Sequence, residues 1–156
     1  MFASLASICP LIDGKYNLIS RNTMGQRALY LSVVEGRVIT TSETPTVWFF
    51  HYQSERGSYR IWQDGTENVL DSTKDQYSPV LVLKHHGEDW QQWAARLQID
   101  GTRAPADPQR VTGFTLTPLS SPQNVLTMEG SSVRVLPAPP HGENIELNQL
   151  WSAIPV

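Results

Sequence analysis

The 156-residue sequence has little that could cross-link it or carry it through a membrane. It contains one cysteine, Cys9, so no internal disulfide can form and the fold must be held by packing. No apolar run approaches the roughly 20 residues needed to span a bilayer. We therefore expect a chain with no membrane insertion, stabilised by a hydrophobic core.

Charge is also scarce, and cations are in the minority. Only 17% of residues are charged, and 12 Lys and Arg face 15 Asp and Glu. A general nucleic-acid binder needs surplus cations to displace phosphate counterions, so we expect no nucleic-acid partner. Five Trp, five Tyr and four Phe can build a core, which argues against disorder. The length suits a single domain over residues 1–156.

Signals for secretion are weak. Segment 1–10 lacks a basic region, and Ser and Pro interrupt its short apolar stretch, so we interpret it as a first strand or tail rather than a signal peptide. The sequence contains no Asn-x-Ser/Thr glycosylation acceptor. These features predict a cytoplasmic protein, or one exported without a classical signal peptide.

Helix signals are nearly absent. Eleven Pro and ten Gly interrupt the chain at short intervals, and the runs between them are short and β-rich, which is typical of an all-β sandwich or barrel. Only segment 87–97 has helical spacing, through Trp90 and Trp93, and it fits a loop entering a strand equally well. The predicted strands cover residues 16–20, 28–31, 37–40, 47–52, 59–62, 80–83, 93–97, 114–117, 133–136 and 151–154.

Short motifs recur along the chain at intervals of about 45 and 55 residues. An opening motif places an aromatic residue just after a glycine, and a closing motif ends in tryptophan. A third marker, Asn-Val-Leu, occurs twice. The openings lie at 14–16, 57–59 and 113–114, the closings at 46–48, 91–93 and 149–151, and the third marker at 68–70 and 124–126.

This repetition predicts a β-trefoil, an all-β fold of three four-stranded lobes about a pseudo-threefold axis. Units of this size cannot each bury a core, whereas three of them can share one. The lobes are expected at about 13–53, 54–99 and 113–156, with an exposed loop at 100–112. The closing residues Trp48, Trp93 and Trp151 then become equivalent core residues. A sandwich is the alternative, but it does not explain a threefold rhythm.

The Gln-x-Trp closings at 91–93 and 149–151 resemble those of the ricin B-like (R-type) β-trefoil family. The opening from Gly14 to Arg21 looks like the start of fungal members, especially small mushroom lectins and mushroom β-trefoil protease inhibitors. The likeness covers the chain from about Asp13 to Ile154. It implies a lectin or an inhibitor, and in either case a protein without enzymatic activity.

In R-type lectins each sugar pocket resembles a three-part trap. It combines an early acid, an aromatic or His platform, and an amide near the closing motif, which suits the hydroxyls and the apolar face of a pyranose. Trp90 is either a further core residue or an exposed ring beside such a pocket. Lobe two matches best, with the acid Asp71, the platform His85 or His86 before Gly87, and the amide Gln91.

Lobe three matches this pattern only in part, since Thr127 stands where the acid is expected. Lobe one lacks all three elements, so we expect it to be structural only. The matching residues in lobe three are His141 before Gly142, Asn144 in the repeated His-Gly-Glu-(Asp/Asn) motif, and Asn148 before the closing motif.

Each of these residues also has a purely structural interpretation. Asp71 could instead form a side-chain turn with Thr73 or Lys74. His85 and His86 could be exposed loop residues. Adjacent histidines point apart and no further ligand completes a metal site, so we expect no metal.

Three functions remain open on the sequence. A lectin that binds glycans or glycoproteins is favoured, because core packing alone does not require the recurring polar residues before each closing Trp. A single shallow pocket binds weakly, so useful avidity needs two sites or a homodimer. The alternatives are a protease inhibitor, acting through a loop at 21–27 or 41–45, and a scaffold that docks a partner protein. Segment 136–140 is a rigid loop or a strand end.

An enzyme is the least favoured function. The sequence contains no Gly-rich phosphate loop, zinc-ligand spacing or nucleophile elbow. We therefore expect no catalytic residues and no cofactor.

Overall fold

The computed structural model describes residues 11–22, 27–74, 77–97, 111–139 and 145–156. The predicted N-terminal strand or tail at 1–10 lies outside the described residues, as does most of the predicted loop at 100–112. The last two residues of that loop, 111 and 112, already belong to a strand.

The described residues form twelve strands, two 3-10 turns and no α-helix. The turns span Asp89–Gln91 and Leu147–Gln149, so segment 87–97 is a turn entering a strand, the second of its two interpretations. The strands are β1 Gly14–Ser20, β2 Tyr30–Val34, β3 Arg37–Thr41, β4 Trp48–Gln53, β5 Ser58–Gln63, β6 Asn68–Asp71, β7 Leu81–Lys84, β8 Trp93–Leu97, β9 Val111–Pro118, β10 Asn124–Glu129, β11 Ser132–Pro137 and β12 Trp151–Pro155.

Six of the strands close into a barrel. Strand β1 pairs with β4, followed by β5, β8, β9 and β12, and β12 pairs back with β1, every pair being antiparallel. Alternation explains why these segments are strands: in β1 the side chains of Tyr16, Leu18 and Ser20 point into the core and their neighbours do not. A closed ring is a single continuous sheet, so the sandwich alternative is wrong.

The other six strands form three hairpins, β2–β3, β6–β7 and β10–β11, one from each expected lobe. Strand β3 lies between the other two hairpins, pairing with β11 through Ile39 and Ser132 and contacting β7. A six-stranded barrel with three associated hairpins is the arrangement that the threefold repeat predicts. It supports the β-trefoil prediction.

The three closing tryptophans occupy equivalent positions. Trp48, Trp93 and Trp151 have no exposed surface. Each donates its indole N–H to a leucine carbonyl on the second strand of its own lobe. The acceptors are Leu31, Leu70 and Leu126, at 2.9, 3.0 and 3.0 Å. Because a buried indole N–H needs an acceptor, this contact fixes the ring in the same orientation three times. The predicted equivalence of the three rings is confirmed.

The opening motifs repeat in the same way. Each opening aromatic is the direct cross-strand partner of a closing tryptophan: Tyr16 pairs with Trp48, Tyr59 with Trp93, and Phe114 with Trp151. The two repeat markers therefore lie side by side on neighbouring barrel strands at three places. The repetition in sequence is a repetition of barrel contacts.

The two tyrosines of this set also hold the chain that enters the barrel. The Tyr59 hydroxyl donates to the Leu11 carbonyl at 2.5 Å and accepts from its N–H, while the Tyr16 hydroxyl donates to the Ile12 carbonyl at 2.6 Å. Burial, with a smaller effect of Asp13, raises the pKa of Tyr16 above its usual value. Leu11 is consequently buried as part of the core.

Strands β6 and β10 are absent from the sequence-based strand prediction. Both begin with the Asn-Val-Leu marker, at Asn68 and Asn124, and their burial is nearly continuous rather than alternating. A short strand buried on both faces shows no period of two, which is why the pattern does not reveal it. The segment at 136–140 is a strand end as far as it is described, since β11 runs to Pro137.

Candidate binding site

A pocket of about 480 Å³ lies beside the β6–β7 hairpin of lobe two. Four of its lining residues are apolar and four are polar. Of the residues predicted for the lobe-two site, Asp71 and Trp90 line it. The lining residues are Asp71, Thr73, Lys74, Ser78, Pro79, Leu81, Leu83 and Trp90.

Hydrogen bonds fix the backbone at the end of β6, next to the pocket. The Asp71 Oδ1 accepts the Thr73 N–H at 2.7 Å, and the N–H and hydroxyl of Ser72 both donate to the Trp90 carbonyl, at 2.8 and 3.0 Å. Thr73 has φ +67°, in the left-handed region that a β-branched residue rarely adopts. Such strain persists where surrounding contacts impose it, and it is common at ligand sites.

Asp71 lies beneath the pocket rather than on its open surface. Its side chain has no exposed surface. The Oδ2 accepts a hydrogen bond from Gln91 Nε2 at 3.0 Å and lies 3.7 Å from His86 Nε2. The structure therefore shows the side-chain turn with Thr73 that the sequence left open, and protein donors already serve both carboxylate oxygens.

Gln91 is equally buried, and its amide is fully used. The Nε2 donates to Asp71 and to the Lys84 carbonyl, and the Oε1 accepts the backbone N–H groups of His86 and Gly87 at 2.8 and 3.2 Å. Two donor hydrogens and two acceptor lone pairs are all that such an amide has. Gln91 therefore positions Asp71 and the 86–87 turn, and a contact between its amide and a sugar stays a prediction.

The structural role of Gln91 agrees with its position relative to the closing Trp. Counted back from the closing Trp, Gln91 corresponds to Gln149, whereas the residue that corresponds to Asn148 is Trp90. Gln149 makes a similar tie in lobe three, since its Nε2 donates to the Pro137 carbonyl at 3.1 Å and contacts the Thr127 hydroxyl at 3.4 Å. The polar residue two places before each Trp therefore ties a loop together.

Lobe one makes its own version of this tie with smaller side chains. The Thr46 hydroxyl accepts the Val33 N–H at 2.8 Å, and the Thr46 N–H donates to the Ser32 hydroxyl at 3.3 Å. Ser32, Asp71 and Thr127 each follow the leucine that accepts the Trp indole. The acid position of the predicted sugar site is thus part of a repeated structural contact, and its carboxylate is specific to lobe two.

Trp90 is a pocket residue, which decides between its two interpretations. Its ring is half-buried and outside the core cluster. The His86 ring meets it edge-on, with centroids 5.4 Å apart, and the Lys74 ammonium lies 5.0 Å from its centroid. Trp90 therefore forms an aromatic part of the pocket lining and is contacted by the His86 ring and the Lys74 ammonium.

His85 points away from this pocket. Its ring lies on Trp62, with centroids 5.0 Å apart, and close to Arg60 on the barrel wall. Burial lowers the pKa of His85, and the neighbouring charges of Arg60 and His86 lower it further. Of the two platform candidates, the structure places His86 against the Trp90 ring and His85 against Trp62.

The lowered pKa of His85 gives a predicted pH dependence. The unfolded chain takes up the His85 proton near pH 6.5, while the folded chain takes it up only at lower pH, so stability should fall as pH drops from 6.5 through the folded pKa. We expect urea unfolding at pH 7.5 and 5 to show a smaller decline for His85→Gln than for the wild type. Equal declines in the two proteins would contradict the prediction.

Gly87 shapes the turn that carries His86. It has φ +82°, which favours glycine, and its carbonyl accepts from Arg56 Nη1 at 3.1 Å. Arg56 also forms an ion pair with Asp89. Gly87 is therefore a turn residue next to the pocket rather than a lining residue.

The lobe-three candidates are only partly within the described residues. Thr127 is buried and donates its hydroxyl to the Val125 carbonyl at 2.9 Å. Asn148 donates through Nδ2 to the Met128 carbonyl at 3.1 Å. The candidates His141, Gly142 and Asn144 lie outside the described residues.

Lys74, Ser78 and two leucines are pocket residues that the sequence-based site prediction does not contain. Leu81 and Leu83 are 36% and 44% exposed. The signal for them is the uninterrupted apolar run at 80–83, because a hairpin strand with one solvent face should alternate. An exposed apolar face on such a strand indicates a contact surface.

The inhibitor loop at 41–45 is held at two points. The Thr41 hydroxyl accepts the Glu43 N–H at 3.2 Å, and the Thr44 carbonyl accepts the Ser32 hydroxyl at 2.9 Å. Residues 23–26 of the other inhibitor loop lie outside the described residues.

Among the described residues, no three His, Cys, Asp or Glu side chains come together as metal ligands would. No helix of the described part is long and apolar enough to cross a membrane.

No family model and no curated protein matches the chain. Several solved structures are similar to the chain. A chain of a mosquitocidal holotoxin is 15% identical with a TM-score of 0.71, the match covering 94% of this chain and 18% of that one. The designed threefold-symmetric protein ThreeFoil is 20% identical with a TM-score of 0.68, covering 92% and 100%.

A third similar structure is the GlcNAcα1-4Gal-releasing endo-β-galactosidase from Clostridium perfringens. It is 15% identical with a TM-score of 0.67, the match covering 93% of this chain and 33% of that one. The chain therefore spans a third or less of the toxin and the galactosidase, and the whole of the designed protein. At such identities the likeness concerns the fold, and the match to a threefold-symmetric design agrees with the β-trefoil arrangement.

Proposed function

We propose that this protein is a non-enzymatic glycan-binding β-trefoil of the R-type lectin kind, with its main binding site in the lobe-two pocket. The observation that carries the proposal is the half-buried Trp90 ring, set beside exposed Leu81 and Leu83 at a polar rim. A pyranose has one apolar C–H face and a periphery of hydroxyls. A concave site with an apolar wall and a few polar groups matches that chemistry.

The surrounding framework favours binding without large rearrangement. Trp90 is held through its carbonyl by Ser72, and its neighbour Gln91 is locked by four hydrogen bonds. A wall fixed in advance lowers the ordering cost of binding a small ligand. The galactosidase whose structure resembles this one acts on a glycan and has this fold as about a third of its chain, which is compatible with the proposal.

Lobe three is proposed as a weaker, partial site through His141 and Asn148. Thr127 supplies no carboxylate there. A single shallow pocket gives weak affinity, so function would depend on two sites or on a homodimer. A fungal lectin is the type that the opening at 14–21 favours.

The test is a glycan array followed by titration of the best ligand, with intrinsic tryptophan fluorescence as a second readout. Trp90→Ala should weaken binding by about tenfold or more, since a loss of 1.4 kcal/mol corresponds to tenfold. Trp62→Ala is the matched control, because Trp62 is also half-buried but stacks on His85 outside the pocket. Equal binding by Trp90→Ala and the control would contradict the site.

A protease panel run beside the array tests the alternative. Wild-type protein that binds no glycan but inhibits a serine or cysteine protease at micromolar concentration would overturn the proposed function. Glycan binding without inhibition supports it.

A further inference from the structure

We propose that the lobe-two pocket selects acidic glycans, those carrying a carboxylate or sulfate on the sugar that contacts Trp90. This inference rests on the proposed function and specifies its ligand class. Two charged residues, Asp71 and Lys74, line the pocket, and they differ completely in what they offer a ligand.

The negative charge of Asp71 is not accessible from the pocket. The Asp71 side chain has no exposed surface, and Thr73, Gln91 and His86 surround its carboxylate. A neutral hexose is held by giving its hydroxyl hydrogens to an accessible acceptor, which is the usual task of such an acid. Here that carboxylate is covered, so the side chains left to receive hydroxyl hydrogens in the pocket lining are the hydroxyls of Thr73 and Ser78.

The positive charge of Lys74 is accessible to a ligand. Lys74 is exposed, and no carboxylate of the described residues lies within ion-pair distance of its ammonium. It brings three donors to the rim and no acceptor, and the nearby Ser78 hydroxyl can also donate. The accessible charge among the lining residues is therefore positive, which favours a ligand that presents negative charge.

The placement of Lys74 links that charge to the stacking wall. Its ammonium lies 5.0 Å from the Trp90 centroid, so a single sugar residue can contact both the charge and the ring. A cation–π contact at an exposed site is weak and can be exchanged for an ion pair. A pyranose with an acidic substituent satisfies both partners at once, with its C–H face against Trp90 and its anionic group on Lys74.

The experiment compares oligosaccharides that differ only in charge. One pair has glucuronic acid against glucose at the same position, and the other has a sulfated against an unsulfated disaccharide. Calorimetric titration should give at least tenfold tighter binding for the acidic member of one or both pairs. The preference should shrink as NaCl is raised, because screening weakens an exposed ion pair.

Variants assign the preference to Lys74. Lys74→Gln should bring the acidic ligand to the affinity of its neutral partner, while Lys74→Arg should keep the preference. Lys84→Gln is the matched control, because Lys84 is an exposed lysine on the same hairpin that does not line the pocket.

The outcomes separate this inference from the proposed function. Equal affinity within both pairs, or an acidic preference that survives Lys74→Gln, would overturn the inference and leave the glycan site standing. Acidic binding that is unchanged in Trp90→Ala would overturn it as well, since charge alone would then suffice. No binding of any glycan by the wild type would instead remove the proposed function.

Discussion

Replacing Trp93 by alanine is expected to lower the free energy of unfolding by about 3–5 kcal/mol. The side chain is fully buried, and its loss leaves a large cavity and an unpaired Leu70 carbonyl. The same loss is expected for Trp48→Ala and Trp151→Ala, because all three rings make the same contacts. Chemical denaturation followed by circular dichroism measures it.

The matched control is Trp62→Ala, which removes a half-buried indole from the outer wall of the barrel and should cost much less. The expected loss is a large share of the stability of an ordinary domain, so an alanine variant could fail to fold. Trp93→Phe, Trp48→Phe and Trp151→Phe provide a milder series, in which each loses the indole hydrogen bond. Costs that differ widely among the three positions would contradict their equivalence.

Replacing Asp71 by alanine is expected to lower the free energy of unfolding by about 1.5–3 kcal/mol, the range for hydrogen bonds to a charged group. The change leaves the Gln91 amide and the Thr73 N–H without their acceptor. The matched variant Thr127→Ala removes the equivalent residue of lobe three, which is neutral and makes weaker contacts, and should cost less.

Glycan binding by the same variants distinguishes positioning from direct contact. Asp71→Ala should weaken binding, because the turn that holds Thr73 and the loop that carries Trp90 lose their common tie. Asp71→Asn keeps the size of the side chain and one acceptor for Thr73, so it should keep part of the affinity. An Asp71→Asn protein of native stability that binds no glycan would show that the carboxylate itself contacts the ligand.

Much of the fold was readable because its contacts repeat. The opening aromatics and closing tryptophans are large buried residues at three equivalent places, and their recurrence at similar spacing is visible in the sequence. Strands β6 and β10 were missed because residues buried on both faces lack the alternation that identifies a strand. Their shared Asn-Val-Leu start was visible, but it indicated repetition rather than a strand.

The site was readable only in part. Residue types placed Asp71, His86 and Trp90 in lobe two, and the structure brings them together. The sequence could not indicate that Asp71 and Gln91 bond each other, because a carboxylate that holds a loop and one that holds a sugar look alike. The apolar run at 80–83 is a signal for Leu81 and Leu83, whereas the position of Lys74 in the pocket lining depends on the tertiary structure.

The sequence alone therefore determined the all-β class, the threefold repeat and the identity of the core rings. Those features follow from side-chain volume and spacing, which are local properties. Tertiary structure alone decided which polar groups face the solvent. Contacts with residues that are distant in sequence decide whether a charged side chain is buried by the protein or accessible to a ligand. In this structure they bury the Asp71 carboxylate and leave Lys74 exposed.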